Sequence, residues 1–294
     1  MLEIKWIENS EYKNVKGINM EKHLRDCAIN IRKNIIEMIT EAKSGHPGGS
    51  LSAVEIIAYL YFEEMNINKE NINSNKRDYF VLSKGHAAPA LYATLSEKGF
   101  IPKQELNTLR KLGSRLQGLP DSNKIESIDI STGSLGQGIS NAVGISLGAK
   151  MDNSSSRVYS LLGDGEMQEG LVWEAMMSAS HYKLDNLVAF IDCNGLQSGG
   201  KSENILRIEP LDKKLESFGW NVCVIDGHNF KEIKSALDNA RNTKGKPTAI
   251  IANTIKGKGI SFMENKIGWH GGAPSKEQRD LAISELESLR EVCL

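Results

Sequence analysis

Two residues with oxygen-bearing side chains, Asp164 and Asn194, lie thirty positions apart, in Gly163-Asp164-Gly165 and Asp192-Cys193-Asn194-Gly195. A carboxylate and an amide oxygen, joined by a backbone carbonyl, form a donor set for a hard octahedral cation such as magnesium, which also holds phosphate oxygens; calcium can substitute. Read singly, the same residues are a turn, a helix cap and a loop residue. Their spacing joins them. It leaves room for a strand, a helix from about Gly170 to His181 and a return strand, and a right-handed crossover brings the two strands side by side.

A second candidate is Ser131-Thr132-Gly133-Ser134-Leu135-Gly136-Gln137-Gly138, followed by Ser140, Ala142, Gly144 and Gly148. Successive amides in such a loop can approach a phosphate or a flat ring. It is neither a dinucleotide fingerprint nor a P-loop, since Gly136-Gln137-Gly138 lacks the third glycine and no Gly-Lys-Ser/Thr ends it. Close helix packing explains the small residues equally well. His46, His86 and His270 each stand beside glycine in an expected loop, where they can hydrogen-bond hydroxyl or phosphate oxygens and move protons near neutral pH, or simply stabilise turns. No pair has the helical i, i+4 spacing of a zinc site. Lys256-Gly257-Lys258-Gly259 is either a phosphate-binding turn or a solvated one.

These residues need elements to position them. Leu24, Ala28, Ile31, Ile35, Ile36 and Ile39 recur at helical spacing up to Lys43, after a polar, aperiodic stretch over residues 1 to about 20. Ser44 to Gly49 reads as a rigid turn and Ser52 to Glu64 as a second helix. Short apolar runs at 80–83, 158–162, 187–192, 222–226 and 248–252 read as strands, each but the last followed by a glycine-bearing turn. Strands alternating with helices imply an α/β fold, a parallel sheet with helices on both faces. Ligands of such sheets gather at the carboxyl ends of the strands, where the Asp, Asn and His candidates stand. With no linker or repeat, the expected organisation is an N-terminal extension, 1–23, and one domain, 24–294.

The whole-chain composition narrows the partners. Thirty-six Lys and Arg nearly cancel 37 Asp and Glu among 294 residues, which argues against nucleic acid and an anionic membrane surface. Four scattered cysteines, Cys27, Cys193, Cys223 and Cys293, form no CxxC pair, and neither an export signal nor a membrane span is evident, so a cytoplasmic location is expected.

Six separated segments, in order, resemble the diphosphate-binding region of transketolase, over about residues 24 to 275. They are Ser44-Gly45-His46-Pro47-Gly48, Leu82-Ser83-Lys84-Gly85-His86, Thr132 to Gly138, Gly163-Asp164-Gly165 with Gln168-Glu169-Gly170, Asp192-Cys193-Asn194, and Trp269-His270-Gly271. The resemblance implies the thiamine diphosphate-binding fold and transfer of a two-carbon ketol unit between sugar phosphates, as in the pentose phosphate reactions. It assigns the metal to Asp164, Asn194 and the Leu196 carbonyl. It places Gly133, Ser134 and Leu135 against the cofactor, and Gly165, Lys256 and His270 at its diphosphate. His46, His86 and His270 become catalytic residues of the substrate channel, and Glu169 an interface glutamate linking paired active sites.

The same resemblance implies that a second polypeptide, the C-terminal transketolase subunit with the pyrimidine-binding half, completes the enzyme, as an α2β2 heterotetramer. One position departs from the family pattern. Gly118-Leu119-Pro120 stands where the family usually has Gly-His-Pro, and leucine cannot donate the hydrogen bond that the usual histidine gives the donor sugar. Altered donor preference and compensated drift are both consistent with it. A second reading, the α-subunit of a thiamine-dependent 2-oxoacid dehydrogenase or lyase, shares the metal motif, and a third is a non-catalytic subunit that retains the fold without turnover.

Overall fold

The computed structural model describes residues 4–292, with side chains over 20–290. Five strands, β1 (Tyr79–Leu82), β2 (Val158–Gly163), β3 (Leu187–Cys193), β6 (Asn221–Asp226) and β7 (Thr248–Asn253), form a wholly parallel sheet in the order β1-β2-β3-β7-β6. A two-residue hairpin, β4 (Leu196–Gln197) with β5 (Gly200–Lys201), lies beyond the end of β3 and leads into the single turn of α7 (Ser202–Ile205). The central strands are apolar along their length because both faces are covered.

Alternate residues feed two cores. Tyr159, Leu161, Val188 and Phe190 face the side packed by α1 (Ile4–Ala42), α3 (Val54–Tyr59), α4 (Ala88–Glu97) and α9 (Phe230–Asn242). Val158, Leu162, Ala189 and Ile191 face α5 (Gln137–Met151), α6 (Gly170–His181) and α8 (Leu211–Ser217). The chain leaves β3 for the edge strand β6 and returns through α9 to β7, which inserts beside β3. The order of strands therefore reverses between β3 and β7, where open α/β sheets leave a crevice at their carboxyl ends.

The expected α/β sheet and the crossover helix at Gly170 are found. Three local readings change. The stretch read as aperiodic before residue 20 is helical from Ile4 onward, so the boundary drawn at residue 23 falls inside α1; straight-chain residues sustain a helix without an apolar stripe. The turn at Ser44–Gly49 is shorter than expected, because α2 (Pro47–Leu51) begins with Pro47 in its first turn, where a missing N–H costs no helical bond. The segment read as a helix from Ser52 divides into α3 and a π-helical turn over Leu60–Glu64. Cys293 lies outside the described residues. Among the described residues no helix is long and apolar enough to cross a membrane.

Helix α5 separates two kinds of glycine. A Cβ on Gly138 would stand 2.5 Å from the Cα of Ser83, whereas one on Gly144 would meet nothing within 4 Å. Gly138→Ala is expected to destabilise the chain by ~1–3 kcal/mol, since backbone must move. Gly144→Ala should be neutral or stabilising by up to ~1 kcal/mol. Urea unfolding of both variants checks this; equal effects would contradict the packing described.

Candidate active site

The carboxyl ends of β1, β2, β3 and β7 release four segments into one cleft. Gly163 pairs with Asp192 in the sheet, and the next residue, Asp164, is held by three donors: Gly165 N at 2.8 Å, Gly195 N at 2.9 Å and Ser202 Oγ at 2.9 Å. Asp164 caps a short 3-10 turn and also reaches across to the loop after β3, so the cap reading and the cross-strand reading both describe it. Burial pushes its carboxyl above the usual range, with Ser202 working against the shift and Asp192 adding to it. Asn194 is buried, and its Oδ1 accepts from Leu196 N at 3.2 Å. The Leu196 carbonyl accepts from Lys256 Nζ at 2.6 Å. Among the described residues no group of three His, Cys, Asp or Glu side chains is arranged to hold a metal ion.

Lys256 is buried and also lies 2.9 Å from His270 Nδ1. Burial lowers its pKa to about 8, assisted by the nearby Lys84 ammonium and opposed by Asp164 and Asp192. Its turn is pinned by Gly257 N donating to the Gly48 carbonyl at 3.0 Å, and Gly257 has φ +80°. A Cβ at Gly48 would stand 2.7 Å from the Trp269 carbonyl oxygen, so the segments carrying His46, Lys256 and His270 meet at van der Waals contact.

The three loop histidines form a triangle. Ring centroids are 5.4 Å apart for His46 and His86, 5.7 Å for His46 and His270, and 5.6 Å for His86 and His270. Burial lowers all three pKa values, helped by surrounding cations: Arg110 and Lys256 at His46, Lys84 at His86, and Lys256 at His270, which falls to about 4. All three imidazoles are therefore neutral at neutral pH, able to donate from one nitrogen and accept at the other. Among the described residues the buried His46 Nδ1 has no hydrogen-bond partner.

The glycine-rich loop forms the wall nearest β1. Thr132 Oγ1 donates to the Leu82 carbonyl at 2.7 Å, Ser83 Oγ accepts from Ile139 N at 3.1 Å, and Gly136, at φ +83°, donates to Glu166 Oε1 at 2.8 Å. Gly133 carries Leu119 over it, since a Cβ there would lie 2.5 Å from Leu119 Cδ1. Ser134 is exposed and Leu135 half-buried. Gly165 faces Gln197, whose buried Oε1 has no hydrogen-bond partner among the described residues. Glu169 is exposed at the start of α6, with its Cβ against the Gly136 position, and stands outside the histidine triangle.

Two buried charged groups near the cleft were not singled out by sequence. Lys84 donates to Asp192 Oδ2 at 2.5 Å, and Asp192 also accepts from Ser52 Oγ at 2.6 Å and from Thr254 Oγ1. Burial opposes ionisation of Asp192, but Lys84 outweighs it and the pKa stays below the usual carboxylate range. Glu166 accepts from Ser83 Oγ at 2.5 Å, as well as from Gly136 N and Gly163 N. The available signal was a lysine directly after a strand of buried residues, where an ammonium needs a carboxylate.

The family profile described as transketolase, thiamine diphosphate binding domain, matches residues 24–286. The chain is 47% identical over 257 residues to a 6-deoxy-6-sulfo-D-fructose transketolase subunit, SqwG, of a Clostridium species, covering 87% of this chain and 94% of that one. It is 42% identical to an apulose-4-phosphate transketolase subunit of Phocaeicola vulgatus, covering 87% and 90%. Human transketolase is 44% identical over 266 residues, which are 90% of this chain and 42% of the human protein. The crystal structure of Campylobacter jejuni transketolase superposes with a TM-score of 0.85 at 32% identity, over 90% of this chain and 42% of that one. By sequence and by fold, the chain belongs to the transketolase family and carries its thiamine diphosphate binding domain.

Proposed function

We propose that this chain is the diphosphate-binding subunit of a two-chain transketolase, which transfers a two-carbon ketol unit from a ketose phosphate to an aldose phosphate. The observation that carries the reading is the triangle of neutral histidines linked through Lys256 to the Leu196 carbonyl, in the loop that carries Asn194 and bonds Asp164. Relatives of nearly the same length are themselves named transketolase subunits, which supports a separate partner chain. A heterotetramer with two copies of each chain places Glu169 at the interface. Free thiols at Cys27, Cys193 and Cys223 suit a reducing cytoplasm.

The residues present fit thiamine diphosphate with magnesium. The donor set is an oxygen set, a buried ammonium stands beside it, and the unpartnered His46 Nδ1 and Gln197 Oε1 await polar ligand atoms. Asp164, Asn194 and the Leu196 carbonyl would hold the metal, Lys256, His270 and the Gly165 backbone the diphosphate, and Gly133, Ser134 and Leu135 the ring. When bound, the cofactor would supply a nucleophilic ring carbon. His46, His86 and His270 hold the sugar hydroxyls and exchange a proton with the substrate oxygen, as groups neutral at working pH can do in either direction. A pKa of about 4 keeps the imidazole of His270 available as an acceptor.

The direct test is coupled transketolase activity with xylulose 5-phosphate and ribose 5-phosphate, magnesium and thiamine diphosphate. Activity should appear only when the chain is mixed with its partner, and Leu119→His should shift the ranking of donor sugars. Appreciable turnover by the chain alone, or release of carbon dioxide from a 2-oxoacid instead, would overturn the assignment.

Lys256 adds a pH signature. The free site releases the Lys256 proton at about pH 8, while a diphosphate beside it favours the ammonium. Cofactor binding should take up protons above that pH, and affinity should fall as pH rises through about 8. Calorimetric titration in buffers of different ionisation enthalpy measures this; pH-independent affinity between 7 and 9.5 would contradict it.

A further inference from the structure

Glu166 is a buried group that the mechanism above does not use. Its carboxylate, on a residue only 2% exposed, joins three segments at the carboxyl ends of β1 and β2. Oε1 accepts from Ser83 Oγ at 2.5 Å, just after β1, and from Gly136 N at 2.8 Å, just before α5. Oε2 accepts from Gly163 N at 3.2 Å, at the end of β2. Ser83 Oγ in turn accepts from Ile139 N at 3.1 Å, so its own proton is committed to Glu166. That Ile139 amide is one of those the first turn of α5 leaves without a helical partner, and a carboxylate at this end complements the positive pole of the helix.

Two parts of the cleft meet through this carboxylate. Gly133, Ser134 and Leu135 are suspended between two anchors. At one end Thr132 Oγ1 donates to the Leu82 carbonyl at 2.7 Å, and a Cβ on Gly85 would stand 2.9 Å from Thr132 Oγ1 and 3.0 Å from Gly133 N, so the loop starts hard against the segment leaving β1. At the other end Gly136, with φ +83°, is held by Glu166. Glu166 itself belongs to the 3-10 turn Gly165–Gln168, which Asp164 caps by accepting from Gly165 N at 2.8 Å. One side chain therefore ties the loop assigned to the cofactor ring to the turn that carries Asp164.

We infer that Glu166 is a positioning residue that sets the separation between the ring-holding loop and the cation-holding turn, so that both ends of thiamine diphosphate are bound together. Ring and diphosphate are covalently linked in the ligand, and two subsites reinforce one another only where their spacing matches that link. Loss of the Glu166 tie should weaken the linked ligand and spare a free diphosphate, which Asp164, Asn194 and Lys256 hold without the loop. The inference rests on the cofactor placement and the two-carbon transfer reading above.

The test uses the two-chain complex with magnesium and compares calorimetric affinity for thiamine diphosphate with that for inorganic pyrophosphate. Glu166→Gln keeps the size of the side chain but sets an NH2 where one acceptor oxygen faced a backbone N–H. It should weaken thiamine diphosphate by ~10- to 100-fold, the scale of lost hydrogen bonds to a charged group, and leave pyrophosphate unchanged. Ser83→Ala removes only the hydroxyl between Glu166 and the end of β1, and should show the same selectivity to a smaller extent. Glu64 provides the control for a general loss of stability: its buried carboxylate accepts from Tyr159 Oη at 2.8 Å, near the start of β2, and pairs with Arg241. Glu64→Gln should lower the thermal midpoint without that selectivity. Equal weakening of both ligands by Glu166→Gln, no weakening, or the same selectivity in Glu64→Gln would overturn the inference, while sugar turnover by wild type keeps the transferase reading intact. Selective weakening in a complex that turns over no sugar would sustain the role of Glu166 and overturn the transferase reading. Failure of the wild type to bind thiamine diphosphate would overturn both.

Discussion

The buried ion pair of Lys84 with Asp192 is the constraint on which the site's geometry depends. Their side chains are 1% and 0% exposed, and the pair joins the segment leaving β1 to the end of β3. Asp192 further takes hydrogen bonds from Ser52, just after α2, and from Thr254, just after β7. One carboxylate therefore registers the segments bearing His46, His86, Asn194 and Lys256. An isolated buried charge costs several kcal/mol, and removing one partner of such a pair typically costs ~3–5 kcal/mol. This side-chain junction holds the strand ends at fixed spacing beyond where the sheet itself stops.

A second junction supports the same cleft from behind. Glu55 is bound by Arg32 at 2.8 Å and by His228 Nδ1 at 2.9 Å, while His228 Nε2 accepts from Ile255 N at 2.9 Å. Arg32 also donates to the Lys258 carbonyl at 2.9 Å. Burial opposes ionisation of Glu55, but Arg32 and His228 outweigh it and bring its pKa to about 2. The turn bearing Lys256 is thus held from both flanks by helices α1 and α3. Among the described residues Lys256 meets neutral acceptors only, and, buried with a depressed pKa, it is poised to respond to an arriving anion.

Much of this architecture is legible in the sequence alone. Short apolar runs locate all five strands of the main sheet to within a residue or two, because a parallel strand covered on both faces needs continuous hydrophobicity. The thirty-residue interval places Asp164 beside the loop of Asn194, since only one crossover fits that length. Convergence of His46, His86 and His270 was expected from resemblance and not from spacing, as they come from three loops separated by most of the chain. Lys84 and Glu166 were not assigned roles for a related reason. A charged residue whose partner stands 83 or 108 positions away leaves no local periodicity. The helical start of α1 and the early start of α2 were missed where composition contradicted amphipathic pattern, at the polar N-terminus and at Pro47-Gly48-Gly49.

Central to the proposed function is a divalent cation held at the carboxyl ends of β2 and β3 and, through it, a diphosphate. Calorimetric titration of the two-chain complex with thiamine diphosphate, with magnesium present and after its removal by chelation, tests this most directly when wild type is compared with Asp164→Ala. Binding should require magnesium in the wild type and be lost in the variant, with unchanged far-ultraviolet circular dichroism. Magnesium-independent binding of equal affinity in both proteins would contradict a cation site at these strand ends.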